Sequence, residues 1–125
     1  MAVITGAGDG IGRGIARRYA AEGAKVLVAE LDEAAGQSVA AELTGDFGTD
    51  AVALRTDVGV KADVTAMVQA ALDRWDTIDV LVNNAWGGGT LSRFEHKTDE
   101  GLDAAFRVGY YGPVWAMQAA LPVMK

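Results

Sequence analysis

One short stretch of this sequence decides the fold: Thr5-Gly6-Ala7-Gly8-Asp9-Gly10-Ile11-Gly12. It follows the apolar run Ala2 to Thr5, which is typical of a buried strand, and it leads into a segment with helical periodicity. A helix N-terminus presents unpaired N–H groups and the positive end of its dipole to an anion. Glycines let the backbone turn sharply and approach such an anion closely. The stretch therefore predicts a phosphate-binding turn between a strand and a helix.

Strand and helix patterns alternate along the whole chain outward from this turn. Apolar runs predict four strands, and 3.6-residue periodicity predicts the helices between them. The strands are expected at 2–5, 25–30, 51–56 and 78–82, and the helices at 10–22, 33–43, 61–75 and from 98 onward. Because helices separate the strands, the strands should be parallel. The expected fold class is α/β, an incomplete Rossmann-type doubly wound parallel sheet of about four strands with helices on both faces.

Local signals in the first half of the chain indicate a core-facing side, a helix cap and a loop. The spacing of Ile11, Ile15 and Tyr19 predicts the core-facing side of the first helix. Asp32 is placed to cap the second helix. Gly45 to Asp50 is rich in turn-forming residues and predicts a loop.

The second half carries weaker signals. Gly87 to Gly89 predicts a flexible loop, and the charged residues around His96 predict an exposed one. An interruption of the last helix is expected near Gly109 to Pro113. Pro113 lacks an N–H and cannot bond the carbonyl of Gly109, which predicts a kink.

Composition excludes several classes of function. The chain has 125 residues, half of them hydrophobic, which suits one small domain. A formal net charge of −6 disfavours nucleic acid as a partner. There is no cysteine and only one histidine, so no metal site is expected. No apolar run is long enough to span a bilayer, and the default expectation is a soluble cytoplasmic protein without a membrane partner.

The glycine-rich turn resembles the cofactor-binding signature of the short-chain dehydrogenases/reductases. Thr5, Gly6, Gly10 and Gly12 occupy the fixed places of the pattern TGxxxGxG. The resemblance implies a nicotinamide dinucleotide as cofactor, with Thr5 mainly structural. The residues it assigns to the pyrophosphate and the adjoining ribose are Gly6, Gly8, Asp9, Gly10 and Ile11.

An acidic residue ends the second strand. Glu30 lies eighteen residues past Gly12, where a carboxylate can accept hydrogen bonds from ribose hydroxyls and repel a 2′-phosphate. NAD is therefore expected rather than NADP, and the acidic Asp9 in the turn supports this expectation. Asp32 is a competitor for the ribose role, and a merely polar strand end is the alternative interpretation of Glu30.

Two further segments are similar to family positions that contact the cofactor. Asp57 and Val58, after the third strand, resemble the pair that contacts the adenine. A strand-end turn is the alternative there. Asn83-Asn84-Ala85 resembles the family's NNAG motif, whose first asparagine steadies the sheet. The resemblance places Asn84 and Ala85 beside the nicotinamide-side ribose.

Two residues depart from the family pattern. Trp86 replaces the last glycine of the motif, and its indole could pack over the cofactor or against a neighbouring loop. Gly109 stands where the family's tetrad asparagine is expected, so it offers no side chain. Tyr110 and Tyr111 are not followed by lysine four residues later and are interpreted as core or interface aromatics.

No catalytic residue is therefore assigned within this chain. Residues 1–125 are expected to be a partial NAD-binding domain, cut at both ends and inactive alone. The catalytic Ser and Tyr-x-x-x-Lys would lie beyond Lys125. An exposed edge at Val80, Leu81 and Val82 would make the isolated chain marginally stable or prone to aggregate.

The leading hypothesis is the cofactor-binding part of an NAD-dependent oxidoreductase. It would act on a small alcohol or carbonyl substrate, as a homo-oligomer in the intact protein. The alternative is a non-catalytic dinucleotide-binding module. An S-adenosylmethionine methyltransferase also uses a glycine-rich turn, but the Thr-Gly opening and the Asn-Asn-Ala segment weigh against it.

Overall fold

The protein is built on a sheet of four parallel strands. The computed structural model describes residues 1–87 and 92–124. The strands are β1 (Ala2–Thr5), β2 (Val26–Glu30), β3 (Ala51–Arg55) and β4 (Val80–Val82). They lie in the order β3-β2-β1-β4, with β1 paired to both β2 and β4. This confirms the predicted fold class.

Helices cover both faces of the sheet. They are α1 (Gly10–Ala21), α2 (Glu33–Phe47), α3 (Lys61–Trp75), α4 (Asp99–Phe106) and α5 (Gly112–Met124). Successive side chains of a strand point to opposite faces. In β1, Ile4 packs with α1 and α2, whereas Val3 packs with α3 and α5. The central strands β1 and β2 are therefore apolar except at their last residues, Thr5 and Glu30. No helix within 1–87 or 92–124 is long and apolar enough to cross a membrane.

The strand order creates a crevice at one edge of the sheet. The chain moves outward from β1 through β2 to β3, and then returns to the other side of β1 as β4. The helices that follow β1 and β4 therefore diverge at the carboxyl ends of these strands. In open α/β sheets, ligands bind at such a switch point.

The second helix is longer than predicted. It continues through Gly45 to Phe47, where the sequence predicted a loop from Gly45 to Asp50, and it ends at Gly48 with φ +64°. A glycine costs a helix only about 1 kcal/mol relative to alanine. Phe47 packs on the core and under the guanidinium of Arg17, which holds the last turn in place.

The predicted core face of α1 was wrong at Ile11. This side chain is 78% exposed, although Ile15 and Tyr19 pack against the core as expected. The buried residues of α1 are small: Gly12, Ala16 and Ala20. They let α1 lie close to the sheet, and the first turn of the helix projects beyond the strand ends.

Strand ends also differ slightly from the prediction. β3 stops at Arg55, one residue early. β4 begins at Val80 rather than at Ile78, because the amides of Asp79 and Val80 both donate to the carbonyl of Met1. Ile78 is nonetheless buried.

The expected interruption of the last helix is a π-helical segment, Arg107–Tyr111. The amide of Gly112 donates to the carbonyl of Arg107, five residues back. This wider turn suits Pro113, which has no N–H for the carbonyl of Gly109. The chain therefore stays helical from α4 into α5. Gly88 and Gly89 of the predicted glycine loop lie outside the described residues.

Asp50 links the start of β3 to the end of α3. Its carboxylate accepts hydrogen bonds from Arg74 Nη2 at 2.6 Å and from Trp75 Nε1 at 2.7 Å. The hydrogen bond from Arg74 holds the pKa of Asp50 below its ordinary value. A carboxyl with a lowered folded-state pKa stabilises the fold above its unfolded pKa. That contribution is lost as the pH falls through the folded value.

We therefore expect Asp50→Asn to lower the Tm by a few degrees at pH 7. The gap to the wild type should close as the pH falls below the unfolded pKa of about 3.9 and through the lowered pKa of the native carboxyl. Melting curves of both proteins across this range, with Asp73→Asn on the exposed side of α3 as a control, test this. A gap that stays constant with pH would contradict the assignment.

Candidate dinucleotide-binding site

An open groove of about 390 Å³ runs along the carboxyl ends of the strands. Its volume lies in the range of small-molecule sites. Most of the residues predicted from the sequence line it: Gly6, Asp9, Ile11, Glu30, Asp57, Val58, Asn84 and Ala85. Gly8 lies behind Glu30, and Gly10 begins α1. The fold thus brings segments from all four strand ends to one surface.

The turn between β1 and α1 is shaped to receive an anion. Gly6 and Gly10 adopt φ of +64° and +54°, a region that disfavours side chains. In the described structure, the side chain of Asp9 makes no capping hydrogen bond to α1. The first amides of the helix are therefore available to a ligand, and the helix dipole favours negative charge there.

Gly12 allows α1 to approach the turn. A Cβ on Gly12 would lie 2.1 Å from the carbonyl oxygen of Gly6 and 2.5 Å from Nδ2 of Asn84. No side chain fits at this distance. The sequence signature included Gly12, and in the structure this residue both lines the groove and permits the close packing of α1 on the turn.

Thr5 and Asn84 join the ends of β1 and β4. Thr5 Oγ1 donates to the carbonyl of Val82 and accepts from the amides of Asn84 and Ala85, at 3.1 and 3.0 Å. Nδ2 of Asn84 donates to the carbonyls of Thr5 and Gly6, at 3.0 and 3.1 Å. Thr5 is thus structural, as expected.

The side chain of Asn84 bonds the end of β1, a sheet-steadying role that the resemblance gives to the preceding residue, Asn83. Asn83 is exposed. The alternation of β4 could have shown this, because Asn84 continues the face of Val80 and Val82. Those two valines pack on the α1 and α2 side, where the glycine turn lies.

We expect Asn84→Ala to lower the free energy of unfolding by about 1–2 kcal/mol, because the carbonyls of Thr5 and Gly6 lose their hydrogen-bond donor. Asn83→Ala, the neighbouring substitution, should change it by less than about 0.5 kcal/mol. Urea unfolding followed by circular dichroism measures both. Equal effects of the two substitutions would contradict the hydrogen-bond assignment.

Glu30 is held rigidly at the groove by backbone amides. Its Oε2 accepts from the amide of Gly8 at 2.8 Å, and its Oε1 accepts from Leu31 at 2.8 Å and Asp32 at 3.2 Å. A carboxylate has about four acceptor positions, so about one remains on Oε2. Asp32 itself caps α2 through the amide of Ala35, as predicted. Of these two acidic residues, Glu30 is therefore the one that places a fixed carboxylate at the groove.

Asp57 and Val58 form a tight turn at the end of β3. Oδ1 of Asp57 accepts from the amide of Gly59 at 2.8 Å, and the amide of Asp57 donates to Asp63 at 3.0 Å. Both residues face the groove. Asp57 and Val58 therefore form a strand-end turn and also line the groove.

Some groove residues were missed by sequence reasoning. Leu31 and Thr56 follow strand ends directly, a position that could have identified them. Val108 comes from the π-helical segment and carried no sequence signal. Trp86, whose indole was expected over the cofactor or against a neighbouring loop, lines the groove, and its ring lies against Gly109.

The aromatic and charged residues set aside in the sequence lie away from the groove. Tyr111 stacks on Trp115 with ring centroids 5.5 Å apart, and Tyr110 meets Tyr111 edge to face. His96 is exposed, in the short 3₁₀ turn Phe94–His96.

Comparison with known proteins agrees with this architecture. Sorbitol dehydrogenase of Cereibacter sphaeroides is 38% identical over 123 residues, which are 98% of this chain and 46% of that protein. The crystal structure of 3-ketoacyl-(acyl-carrier-protein) reductase from Brucella melitensis complexed with NADH matches with a TM-score of 0.89 and 38% identity. That match covers 98% of this chain and 49% of the other.

A further solved structure carries the other nicotinamide cofactor. L-sorbose reductase from Gluconobacter frateurii, complexed with NADPH and L-sorbose, matches with a TM-score of 0.93 and 29% identity. That match covers 98% of this chain and 46% of the other. The chain spans about half the length of the curated relatives it matches. Its whole length, residues 1–125, matches the family described as short chain dehydrogenase. The chain belongs to the short-chain dehydrogenase family.

Proposed function

We propose that the groove binds NAD and that this chain is the cofactor-binding part of an NAD-dependent oxidoreductase. The observation that carries the proposal is the fixed carboxylate of Glu30, held by three backbone amides where the groove passes β2. A rigid negative charge favours ribose hydroxyls and repels a 2′-phosphate. The related structures hold NADH or NADPH, so the choice of NAD rests on Glu30 and on the acidic Asp9.

The residues of the groove fit the parts of a dinucleotide. The glycine turn and the first amides of α1 suit the pyrophosphate, because they offer N–H donors and room for close approach. Glu30 suits the adenosine ribose, and Asp57 with Val58 lies beside it at the end of β3 for the adenine. Asn84 and Ala85, at the end of β4, are left for the nicotinamide-side ribose.

The proposed reaction interconverts an alcohol and a carbonyl compound. When bound, the nicotinamide ring takes or supplies the hydride, and a proton leaves or joins the substrate oxygen. The residues described here bind and orient the cofactor. We assign the proton transfer to residues outside this chain, because Gly109 offers no side chain and neither Tyr110 nor Tyr111 is followed by the expected lysine. The small-molecule substrate, the homo-oligomer and the cytoplasmic location stay predictions.

A non-catalytic dinucleotide-binding module is the second candidate. The indole of Trp86 lies where a side chain at position 109 would extend, which favours a site without the tetrad asparagine. Both candidates bind NAD. Hydride transfer from NADH to carbonyl compounds, followed at 340 nm in the native protein, separates them.

Calorimetric titration of the purified chain with NAD and with NADP tests the proposal. The expected result is NAD binding at least about tenfold tighter than NADP binding, since the 2′-phosphate meets Glu30. A circular dichroism melt of the same sample shows that the chain is folded. Equal affinities in a folded sample would refute the NAD preference, and the absence of binding would refute the cofactor site.

A further inference from the structure

An aromatic wall closes the groove at the end of β4. Trp86 lies four residues past β4, and its side chain lines the groove while remaining 82% exposed. An indole presents a large flat apolar face, which a ligand ring can cover at small entropic cost. The exposed face of Trp86 is therefore available to whatever occupies this end of the groove.

The position of this wall depends on a glycine of the last helix. A Cβ on Gly109 would lie 3.2 Å from Cζ3 and 3.8 Å from Cε3 of Trp86. The six-membered ring thus rests where a side chain at 109 would begin. Gly109 is held there by the π-helical segment Arg107–Tyr111, and its neighbour Val108 also lines the groove. A larger residue at 109 would push the indole out of its seat.

The strand order shows which half of a dinucleotide meets this wall. Glu30 ends β2, whereas Trp86 follows β4, and β1 with the glycine turn lies between them. With the adenosine ribose at Glu30 and the pyrophosphate at the turn, the remaining half of NAD extends towards Trp86. That half ends in a flat, positively charged ring in the oxidised cofactor, a group that binds well on an indole face.

We propose that Trp86 and Gly109 form a matched pair: the indole, seated on Gly109, is the stacking wall for the nicotinamide half of the cofactor. The inference rests on the proposed function and names the contact that distinguishes the two ends of the groove. Trp86 acts as a specificity-determining residue for the nicotinamide half, and Gly109 acts as a positioning residue through Trp86.

Two probes separate the ends of the groove: NAD, which spans it, and ADP, which carries only the adenosine and the two phosphates. Calorimetry of the full chain should show that Trp86→Ala weakens NAD binding about tenfold, the loss typical of a removed aromatic platform. ADP binding should stay within about twofold of the wild type. Trp86→Phe, which keeps a flat ring, should restore most of the NAD affinity. Phe94→Ala, an equally exposed aromatic away from the groove, is the matched control.

The glycine is tested in the same titrations. Gly109→Asn should weaken NAD binding several-fold without affecting ADP, and the double variant with Trp86→Ala should bind NAD no more weakly than Trp86→Ala alone. Unchanged NAD affinity in Trp86→Ala, or equal losses for NAD and ADP, would overturn the inference while leaving the proposed function standing. A folded wild-type chain that binds neither probe would overturn both.

Discussion

Gly12→Ala is expected to abolish NAD binding and to lower the free energy of unfolding by about 3 kcal/mol, the upper range for overpacking a rigid site. The added methyl group would lie 2.1 Å from the carbonyl oxygen of Gly6 and 2.5 Å from Nδ2 of Asn84. The first of these is backbone and cannot rotate away. Relief of the clash must move the turn or the start of α1, and either movement displaces the amides proposed to bind the pyrophosphate.

Gly14 provides the matched control on the same helix. It is exposed, and a Cβ there meets nothing within 4 Å in the described structure. Gly14→Ala should therefore stabilise the chain by about 0.5–1 kcal/mol, the ordinary gain of alanine over glycine in a helix. Urea unfolding and NAD calorimetry of the two variants measure the contrast. Similar stabilities of Gly12→Ala and Gly14→Ala would show that α1 does not pack on the turn as described.

The second large effect is expected at Glu30. Glu30→Gln keeps the shape of the side chain and removes its charge, so the barrier to a 2′-phosphate falls. We expect the ratio of NAD to NADP affinity to drop at least about tenfold, because a hydrogen bond to a charged group contributes about 1.5–3 kcal/mol. The amide of Gly8 also loses its carboxylate acceptor, which loosens the turn.

Glu33→Gln is the control for charge alone. Glu33 lies three residues further on, in the first turn of α2, and bonds only to Gln37 among the described contacts. Its substitution should leave the ratio within about twofold of the wild type. A similar change of the affinity ratio in both variants would mean that the net charge of the region, rather than contact of the ribose with Glu30, sets the preference for NAD.

The sequence was most informative where a residue has few physical alternatives. Apolar runs separated by helical periodicity predicted all four strands, since only a sheet covered on both faces makes whole strands apolar. The glycine turn was predicted because a strand that runs directly into a helix needs left-handed residues such as Gly6 and Gly10.

Predictions failed where tertiary contacts outweighed local preference. Gly45 does not end α2, because Phe47 packs against the core beyond it. Ile11 fits the helical core pattern but lies past the strand ends, where there is no sheet to cover it. Pro113 predicted a kink, and the π-helical segment before it accommodates the ring within a continuous helix.

The part of the groove at the ends of β1 and β2 could be predicted from the sequence. The part near Trp86, after β4, could be predicted less well. Glu30 follows from its spacing after the glycine turn. Two of the amides that fix it, those of Leu31 and Asp32, directly follow it in the chain, whereas the third, that of Gly8, belongs to the glycine turn. The contact of Trp86 with Gly109 joins residues 23 positions apart through a π-helical turn, which no local pattern encodes. That part of the site needed the structure.

We propose that a nicotinamide dinucleotide occupies the carboxyl edge of the sheet. A ¹H–¹⁵N NMR titration of the 13.0 kDa chain with NAD tests it most directly. Shift changes are expected for the amides of residues 6–12, 30–31, 57–58 and 84–87, the segments that line the groove. Changes confined to another surface, such as the α2 side around Gln37 and Thr44, or no change in a well-folded spectrum, would contradict it.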